Sequence, residues 1–329
     1  MVVNILFLIA GMVLLIQGAD WFVSGASKIA KACKIPSLVI GLTLVSMGTS
    51  APEASVSINS AVNGMNDMSV GNVVGSNIFN TLLILGVSSL IVPLAIGKDM
   101  RKYDIPIMVA VYSLLILFAF VITPQKLDLR ESLILLALFL AYTVFLILRT
   151  KQANKNGEGE SSGEQAAERA EIAEKAEKKE KPLWISIVLA TVGLTGVIFG
   201  GDLVVDNAAI VARKLGMSEA LVGLTIVSVG TSLPELVTSI VASVKKENDI
   251  AVGNVIGSNI FNIVFILGMS STIRSLTIGM ASLADMLVML CSGILILGIA
   301  LFSKKTNKWQ GIAMILFYIA YLAYIIIRN

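Results

Sequence analysis

The sequence predicts an all-α integral membrane protein whose ten transmembrane helices form two inverted-topology five-helix repeats. Three observations lead to this fold class: an apolar composition, a series of long apolar runs and an internal repeat. Of the 329 residues, 56% are apolar and 14% are charged, and the mean hydropathy is +0.87. Soluble domains carry about 25% charged residues. The composition therefore excludes a soluble domain, a coiled coil and a disordered chain.

Long apolar runs recur along the whole chain, and a transmembrane helix needs about 20 largely apolar residues. We interpret the first run as a span and not as a signal peptide, because no basic residue precedes it and the first one is Lys28. The ten predicted spans are residues 2–24, 37–62, 70–94, 105–122, 131–149, 183–212, 219–244, 251–273, 282–302 and 309–327.

One segment has no membrane character. Residues 150–182 contain seven basic and eight acidic residues and almost no large apolar side chain. We interpret this segment as a solvated linker loop, which begins as a Gly/Ser-rich stretch and continues with helix-forming Ala, Glu and Lys. The linker divides the chain into a first five-helix repeat, residues 1–149, and a second, inverted one, residues 183–329.

The distribution of basic residues predicts the orientation. Connections between spans alternate between the two membrane faces, and the odd-numbered connections carry 19 of the 25 Lys and Arg residues. Basic residues are enriched in cytoplasmic loops. The odd-numbered connections, including residues 150–182, are therefore expected to be cytoplasmic. Both termini are expected outside, and the protein is expected to be multi-pass in the cell (plasma or inner) membrane.

An internal repeat relates the two halves. A shift of 182 residues places residues 41–91 on residues 223–273 without a gap, with 31 identities in 51 positions. Five predicted spans separate equivalent points, and because five is odd, the second copy enters the membrane upside down. Inverted repeats are typical of transporters, which place their binding site near the midplane between the copies.

Missing residue types exclude several kinds of chemistry. The chain has no histidine, and its two cysteines, Cys33 and Cys291, cannot build a disulfide framework or a Cys-rich metal site. The net charge of +3 is small for this length, so nucleic acid is not expected as a partner. No nucleophile or cofactor motif accompanies the acidic residues of the apolar segments, so we expect neither an enzyme nor a bound cofactor.

Five acidic residues lie inside apolar segments. Glu53 and Glu235 occupy the same position in the two copies, near mid-span. A carboxylate at the bilayer centre costs about 2.5–3.5 kcal/mol or more, so such residues are usually functional. The other three are Asp20, Asp202 and Asp206; for Asp20 and Asp202 we favour a position near the membrane interface or at a helix cap.

The residues beside each glutamate are oxygen-rich. Thr49 and Glu53 are four apart and share a helix face. Pro52 lies between them, lacks a backbone N–H and is expected to bend the helix and free the carbonyl of Gly48. Backbone carbonyls without partners are tolerated at membrane depth where they face protein or a wet cavity. The second copy repeats the arrangement with Thr231, Pro234 and Glu235.

The next span of each copy adds a polar stripe with a spacing of four residues. Such a stripe can also hold helices together in the bilayer, and for Asn72 and Asn254 this alternative is as strong as an ion-binding role. Soft metals prefer sulfur or imidazole, whereas Ca²⁺ takes six to eight oxygens. Two carboxylates balance one divalent or two monovalent ions. The stripes are Asn72, Ser76 and Asn80, and Asn254, Ser258 and Asn262.

With "GTSAPE" and "GTSLPE", each followed by "GNV(V/I)GSNIFN", the chain resembles the sodium/calcium exchangers of the calcium/cation antiporter superfamily. The resemblance implies a core of the second, third, seventh and eighth spans, across which the long first and sixth spans slide in alternating access. It implies a Ca²⁺ site of Glu53, Glu235 and the carbonyls of Thr49 and Thr231. It implies Na⁺ sites at Ser46, Ser50, Ser76, Asn80, Ser228, Ser232, Ser258 and Asn262.

The sequence departs from the family in one respect. Many members carry Asp at one of the positions held here by Asn80 and Asn262, so this site has one carboxyl group fewer. The function expected from the resemblance is Na⁺/Ca²⁺ antiport by alternating access. A Ca²⁺/H⁺ antiporter that uses the same carboxylates stays open. A cation channel and a membrane enzyme are less favoured alternatives. The expected partners are Ca²⁺, Na⁺ and the lipid bilayer.

Overall fold

The computed structural model describes residues 1–155, 182–217 and 228–328, and this part of the chain is almost entirely helical. Eight of its helices are long and apolar enough to cross a membrane. We number all helices in chain order. The eight are α1 (Val2–Ala32), α4 (Asn66–Ile91), α5 (Met100–Ile122), α6 (Leu129–Lys155), α7 (Leu183–Lys214), α9 (Asn248–Ile273), α10 (Met280–Phe302) and α11 (Lys308–Arg328).

The other two predicted spans contain shorter helices. The run 37–62 is divided into α2 (Ser37–Thr49) and α3 (Ala51–Val62), which meet at Ser50. The run 219–244 contains a short helical turn, Ser228–Gly230, and then α8 (Leu233–Val244). Residues 218–227 lie outside the described part. The ten apolar runs therefore appear as eight continuous helices and two interrupted segments.

The helix of the fifth predicted span extends into the segment interpreted as a linker. Helix α6 continues to Lys155, past the predicted end at residue 149. The hydroxyl of Thr150 donates to the carbonyl of Leu146, and the side chains that follow are compatible with a helix. The rest of the predicted loop, up to residue 181, lies outside the described residues.

Helices α1 and α7 pack against each other along most of their length. Glycines at the crossing bring the two backbones together: a Cβ atom at Gly18 would lie 2.7 Å from the backbone nitrogen of Val197, and one at Gly193 would collide with the backbone of Phe22. Close backbone approach through small residues is a typical way of packing helices in membranes. The two helices therefore form one tightly joined pair.

Helices α4 and α9 form the centre of the molecule. Helix α9 is buried along almost its whole length, and α4 along most of it. Helix α9 packs against α2, α8 and α4, and the outer helices α5, α6, α10 and α11 enclose this centre. The most buried helices are also the most polar ones, which indicates that their polar faces point into the protein and not into lipid.

Connections from the two halves meet at two places. Strand β1 (Lys126–Leu127) pairs antiparallel with β2 (Leu276–Thr277), a small β element in the predicted all-α fold. At the second place, the backbone N–H of Ile96 donates to the carbonyl of Lys304, 2.9 Å away. The first contact joins two even-numbered connections, and the second joins two odd-numbered ones.

Candidate cation site

The site begins with a helix break in each half. Helix α2 ends at Thr49, and α3 begins at Ala51 with Pro52 in its first turn; α8 likewise begins after Ser232 with Pro234 in its first turn. Proline fits a first turn because the N–H that it lacks would have no helical partner there. The backbone N–H of Ser50 donates to the carbonyl of Ser46 at 3.0 Å, and the free carbonyl expected at Gly48 stays a prediction.

The breaks place both glutamates at helix starts. Glu53 lies in the first turn of α3 and Glu235 in the first turn of α8. The first backbone N–H groups of a helix and its dipole favour negative charge at this end. Both side chains are fully buried, with 0% exposure. The structure therefore places both carboxylates in the interior, as predicted, and not toward lipid.

Reciprocal hydrogen bonds join the two halves at these glutamates. The Ser50 hydroxyl donates to Glu235 Oε1 at 2.8 Å, and the Ser232 hydroxyl donates to Glu53 Oε1 at 2.9 Å. Both serines are fully buried as well. Each carboxylate is thus held by the residue that precedes the other half's helix. Glu53 and Glu235 belong to one interior site and not to two separate pockets.

Asn72 of α4 holds residues of both halves together at the first half of the site. The Asn72 amide donates to the Ser57 hydroxyl at 2.8 Å and to the backbone carbonyl of Glu53 at 3.3 Å. Its side-chain oxygen accepts from the Thr231 hydroxyl of the other half at 3.3 Å. These contacts agree with the helix-joining interpretation of Asn72.

The asparagine of α9 repeats this arrangement. The Asn254 amide donates to the Ser239 hydroxyl at 3.0 Å and to the carbonyl of Glu235 at 3.5 Å. Its side-chain oxygen accepts from the Thr49 hydroxyl at 3.1 Å. The side chains of Thr49 and Thr231 are therefore used for contacts between the halves, which leaves the predicted ligand role to their backbone carbonyls.

The predicted serines of the stripes lie around the same site. The Ser232 hydroxyl also approaches the Ser76 hydroxyl, 3.1 Å away. On the other side, the Ser258 hydroxyl donates to the backbone carbonyl of Ser46 at 3.4 Å. Ser228 begins the short turn Ser228–Gly230, and its side chain is outside what the structure describes. The structure thus brings Ser46, Ser76 and Ser258 to the glutamates.

Asn80 and Asn262 are buried one level further along α4 and α9. Each lies in a π-helical turn, Phe79–Ile84 or Asn262–Leu267. Such turns are rare in proteins overall, but those that occur are often found at functional sites. The Asn262 amide donates to Asn77 Oδ1 at 3.0 Å, whereas its own oxygen and both side-chain atoms of Asn80 have no hydrogen-bond partner.

Sequence reasoning missed two further asparagines. The Asn77 amide donates to the carbonyl of Asn259 at 3.0 Å, and the Asn259 amide donates to the Thr81 hydroxyl at 2.8 Å. These contacts join α4 directly to α9. The signal was present, because Asn77 and Asn259 belong to the repeated "GSNIFN" motif, but they fall outside the stripe of every fourth residue.

Several buried oxygens at the site lack a hydrogen-bond donor. They include the second carboxylate oxygen of each glutamate, Glu53 Oε2 and Glu235 Oε2. Leaving a buried charged oxygen without a partner costs several kcal/mol. Within the described residues no group of three or more Asp, Glu and Cys side chains converges. The site therefore offers two carboxylates and neutral oxygens, a set that suits a hard cation.

The sequence also matches known proteins along most of its length. The family described as sodium/calcium exchanger protein matches residues 3–148 and 185–327. The sodium/calcium exchanger MaX1 of Methanosarcina acetivorans is 34% identical over 97% of both chains. The inner membrane protein YrbG of Escherichia coli is 38% identical over 81% of this chain and 78% of its own.

A solved structure gives the same result. The sodium-calcium exchanger NCX_Mj, soaked with zero Na⁺ and Ca²⁺, matches with a TM-score of 0.81 and 30% identity over 98% of this chain and 99% of its own. The match extends over both halves of this chain. This chain is a helical integral membrane protein, and it belongs to the sodium/calcium exchanger family.

Proposed function

We propose that the protein is a Na⁺/Ca²⁺ antiporter that carries the two ions in turn at the site between Glu53 and Glu235. The reciprocal serine–glutamate bonds carry this proposal. They hold one oxygen of each carboxylate and leave the other oxygen of each without a donor. A bound cation supplies the missing positive partner. The transporters MaX1 and NCX_Mj, named as sodium/calcium exchangers, support the choice of ions.

Charge balance gives the physical basis of exchange. Two carboxylates are neutralised by one Ca²⁺ or by two Na⁺, so either load stabilises the site. When neither ion is bound, two desolvated negative charges face one interior space, and the change of access is disfavoured. Movement of the empty carrier is therefore rare, and Ca²⁺ leaves only when another load replaces it. With an inward Na⁺ gradient this gives Ca²⁺ export.

We assign the ligands as follows. Ca²⁺ is held by Glu53, Glu235 and the backbone carbonyls of Thr49 and Thr231, with no resident cofactor. The contacts of Ser76 and of the Ser46 carbonyl at the site support oxygen ligands for Na⁺ on both sides of the glutamates. The proposed Na⁺ ligands are Ser46, Ser50, Ser76, Asn80, Ser228, Ser232, Ser258 and Asn262.

The proposed topology has ten spans in two inverted five-helix repeats, separated by the cytoplasmic linker. Each interrupted segment, α2 with α3 and the turn Ser228–Gly230 with α8, counts as one span. The pairing of even connections with even ones and odd with odd supports this count. By the distribution of basic residues, the odd connections are cytoplasmic and both termini lie outside in the cell membrane.

The test is radiolabelled Ca²⁺ uptake into proteoliposomes with outward Na⁺, K⁺ or H⁺ gradients imposed one at a time. We expect uptake with the Na⁺ gradient and background uptake with the other two. Uptake driven by H⁺ alone would identify the Ca²⁺/H⁺ alternative instead. This alternative stays open because Asn80 and Asn262 leave the site without a third carboxylate. Uptake that needs no counter-ion would point to a channel.

The same assay tests the site. Glu53→Gln and Glu235→Gln are each expected to reduce uptake at least about a hundred-fold, because losing one of two buried charges costs about 3–5 kcal/mol. Glu131→Gln is the matched control, since this glutamate accepts from the backbone N–H of Asp128 near the membrane face. Normal exchange by either site variant would remove the carboxylates from the mechanism.

A further inference from the structure

One lysine fastens the long first helix to the rest of the molecule. Lys245 follows the last residue of α8, and its ammonium lies 2.7 Å from Asp20 Oδ1 and 2.9 Å from the carbonyl of Asp20 in α1. It also donates to the hydroxyl of Ser24. One turn further along α1, the Ser27 hydroxyl donates to Glu247 Oε1 at 2.9 Å. We name these five residues the α1 latch.

The other half of the chain lacks this device. The 182-residue shift places Asp20 on Asp202, so the carboxylate is repeated. It places Lys245 on Asn63, which donates to the Asn59 carbonyl of its own helix. Among the residues that the structure describes, no cation pairs with Asp202. The remaining latch residues, Ser24, Ser27 and Glu247, fall on Asp206, Ala209 and Met65.

Helix packing differs between the halves as well, and it is closer on the side that carries the latch. Helix α1 packs closely against α8, next to the latch, with Leu15 and Ala19 fully buried beside Leu233 and Val237. The equivalent contact, of α7 with α3, is at most marginal in the described part of the chain. Helix α8 ends at one face of the membrane, and we call this face the latch face. The passage beside α1 is therefore more tightly packed on the latch face than its counterpart is on the opposite face.

We propose that the α1 latch, through Lys245, holds the exchanger in the conformation in which α1 is seated against α8 and the site is closed to the latch face. This inference rests on the proposed function and on the alternating access that the family resemblance implies, in which α1 and α7 slide across the core. Releasing Lys245 from Asp20 is then part of opening the latch face. Because the opposite face has no equivalent lysine, no such contact stabilises closure there, and the empty carrier is expected to open to that face more often than to the latch face.

The latch has a measurable consequence for ion binding. The apparent affinity on one face is the intrinsic affinity multiplied by the fraction of carriers open to that face. The ion pair is partly exposed, with side-chain exposures of 28% for Lys245 and 45% for Asp20. Pairs of this kind shift an equilibrium by up to about five-fold. Lys245→Met is therefore expected to lower the half-saturating Ca²⁺ concentration on the latch face about two- to five-fold.

The first experiment needs no transport. Hydrogen–deuterium exchange of the purified protein in detergent compares the wild type with Lys245→Met. Lys305→Met is the control, because it removes the same charge from another exposed lysine of the same face. We expect about two- to five-fold faster exchange in residues 20–32 for Lys245→Met alone. Unchanged exchange there, or an increase throughout the molecule, would overturn the latch.

The second experiment measures the half-saturating Ca²⁺ concentration on each face in oriented proteoliposomes. The charge swap Asp20→Lys with Lys245→Asp is expected to restore the wild-type value on the latch face. Asn63→Lys places a cation opposite Asp202 and is expected to lower the value on the latch face as well, by favouring closure of the opposite face. Equal values for the wild type and all variants would overturn the proposal. If the wild type carries no Ca²⁺, the proposed function fails. The hydrogen–deuterium exchange measurement still tests the latch in that case, because it needs no transport.

Discussion

At the scale of single residues, each site carboxylate depends on a serine from the other half of the chain. Ser50 binds Glu235, and Ser232 binds Glu53. Each serine stands at the helix break that also positions the glutamate of its own half. A change at one break is therefore felt by the carboxylate of the other half, and neither half can complete the site by itself.

The reciprocal contact leads to a pair of matched predictions. Ser50→Ala and Ser232→Ala are each expected to weaken Ca²⁺ binding about ten-fold or more, because a hydrogen bond to a charged group contributes about 1.5–3 kcal/mol. Ser113→Ala is the control, since Ser113 is exposed and donates to the Val109 carbonyl of its own helix. Equilibrium binding of radiolabelled Ca²⁺ to the purified variants measures the effect. Wild-type affinity in both site variants would contradict the assigned role.

The residues of the site were predictable to different degrees. Glu53 and Glu235 could be predicted because a repeated carboxylate in an apolar segment has few structural explanations. Their partners could not, because Ser50 and Glu235 are 185 positions apart in the sequence. A repeat pattern identifies equivalent residues but does not state whether a side chain meets its own half or the other one. Asn77 and Asn259 were missed for a different reason, because they fall outside the stripe of every fourth residue.

At the scale of helices, two ion pairs fasten the outer helices of each half. Arg149 of α6 binds both oxygens of Asp104 in α5 at 3.1 Å, and Arg328 of α11 binds Asp285 of α10 at 3.0 and 3.1 Å. Arg328 binds in the two-pronged manner that its planar group allows, with one nitrogen on each oxygen, whereas a single nitrogen of Arg149, Nη1, donates to both oxygens of Asp104. The pairs hold the helices that enclose α4 and α9.

The two pairs are expected to differ in strength. The Asp104 side chain is fully buried and that of Arg149 is 13% exposed, whereas the values are 17% for Asp285 and 26% for Arg328. Breaking a buried pair costs about 3–5 kcal/mol, and this cost falls toward about 1 kcal/mol or less as a pair becomes more exposed. Asp104→Asn is therefore expected to lower the thermal unfolding midpoint in detergent more than Asp285→Asn. An equal or reversed order would contradict this account.

Helices with a long apolar run were predictable, and interrupted ones were only partly so. Pro52 and Pro234 indicated a bend, but the sequence did not show that the helix is interrupted at Ser50, where φ is −81° and ψ is 8°. The π-helical turns at Asn80 and Asn262 left no signal in hydropathy, because they change the backbone and not the composition. The two-residue strands were invisible for a similar reason, since they form only where two distant connections meet.

At the scale of the whole molecule, the site gives a reason for obligatory exchange. The described part of the chain places two buried carboxylates at the site with no cationic side chain bonded to either of them. In the proposed function a transported ion compensates their charge, so we expect the change of access to depend on the load. The helical membrane fold was the most predictable level of all, because long apolar runs are visible in the sequence. The asymmetry of the proposed latch was not visible in those runs.

Obligatory exchange leads to a test by efflux. Proteoliposomes loaded with radiolabelled Ca²⁺ are diluted into medium that contains Na⁺, unlabelled Ca²⁺ or neither ion. We expect efflux into the ion-free medium to be at least about ten-fold slower, because the return of the empty site leaves two desolvated charges uncompensated. Release by a Ca²⁺ ionophore checks that the label was trapped. Equal efflux in all three media would contradict obligatory exchange.

The central claim is that Glu53 and Glu235 hold one transported cation between them. Anomalous diffraction from crystals soaked in Sr²⁺, a divalent stand-in for Ca²⁺, tests this claim most directly. We expect one strong peak within coordination distance, about 2.5 Å, of both Glu53 Oε2 and Glu235 Oε2, and its loss in Glu53→Gln and Glu235→Gln crystals. A peak bound to one glutamate alone, or one located away from both, would contradict the account.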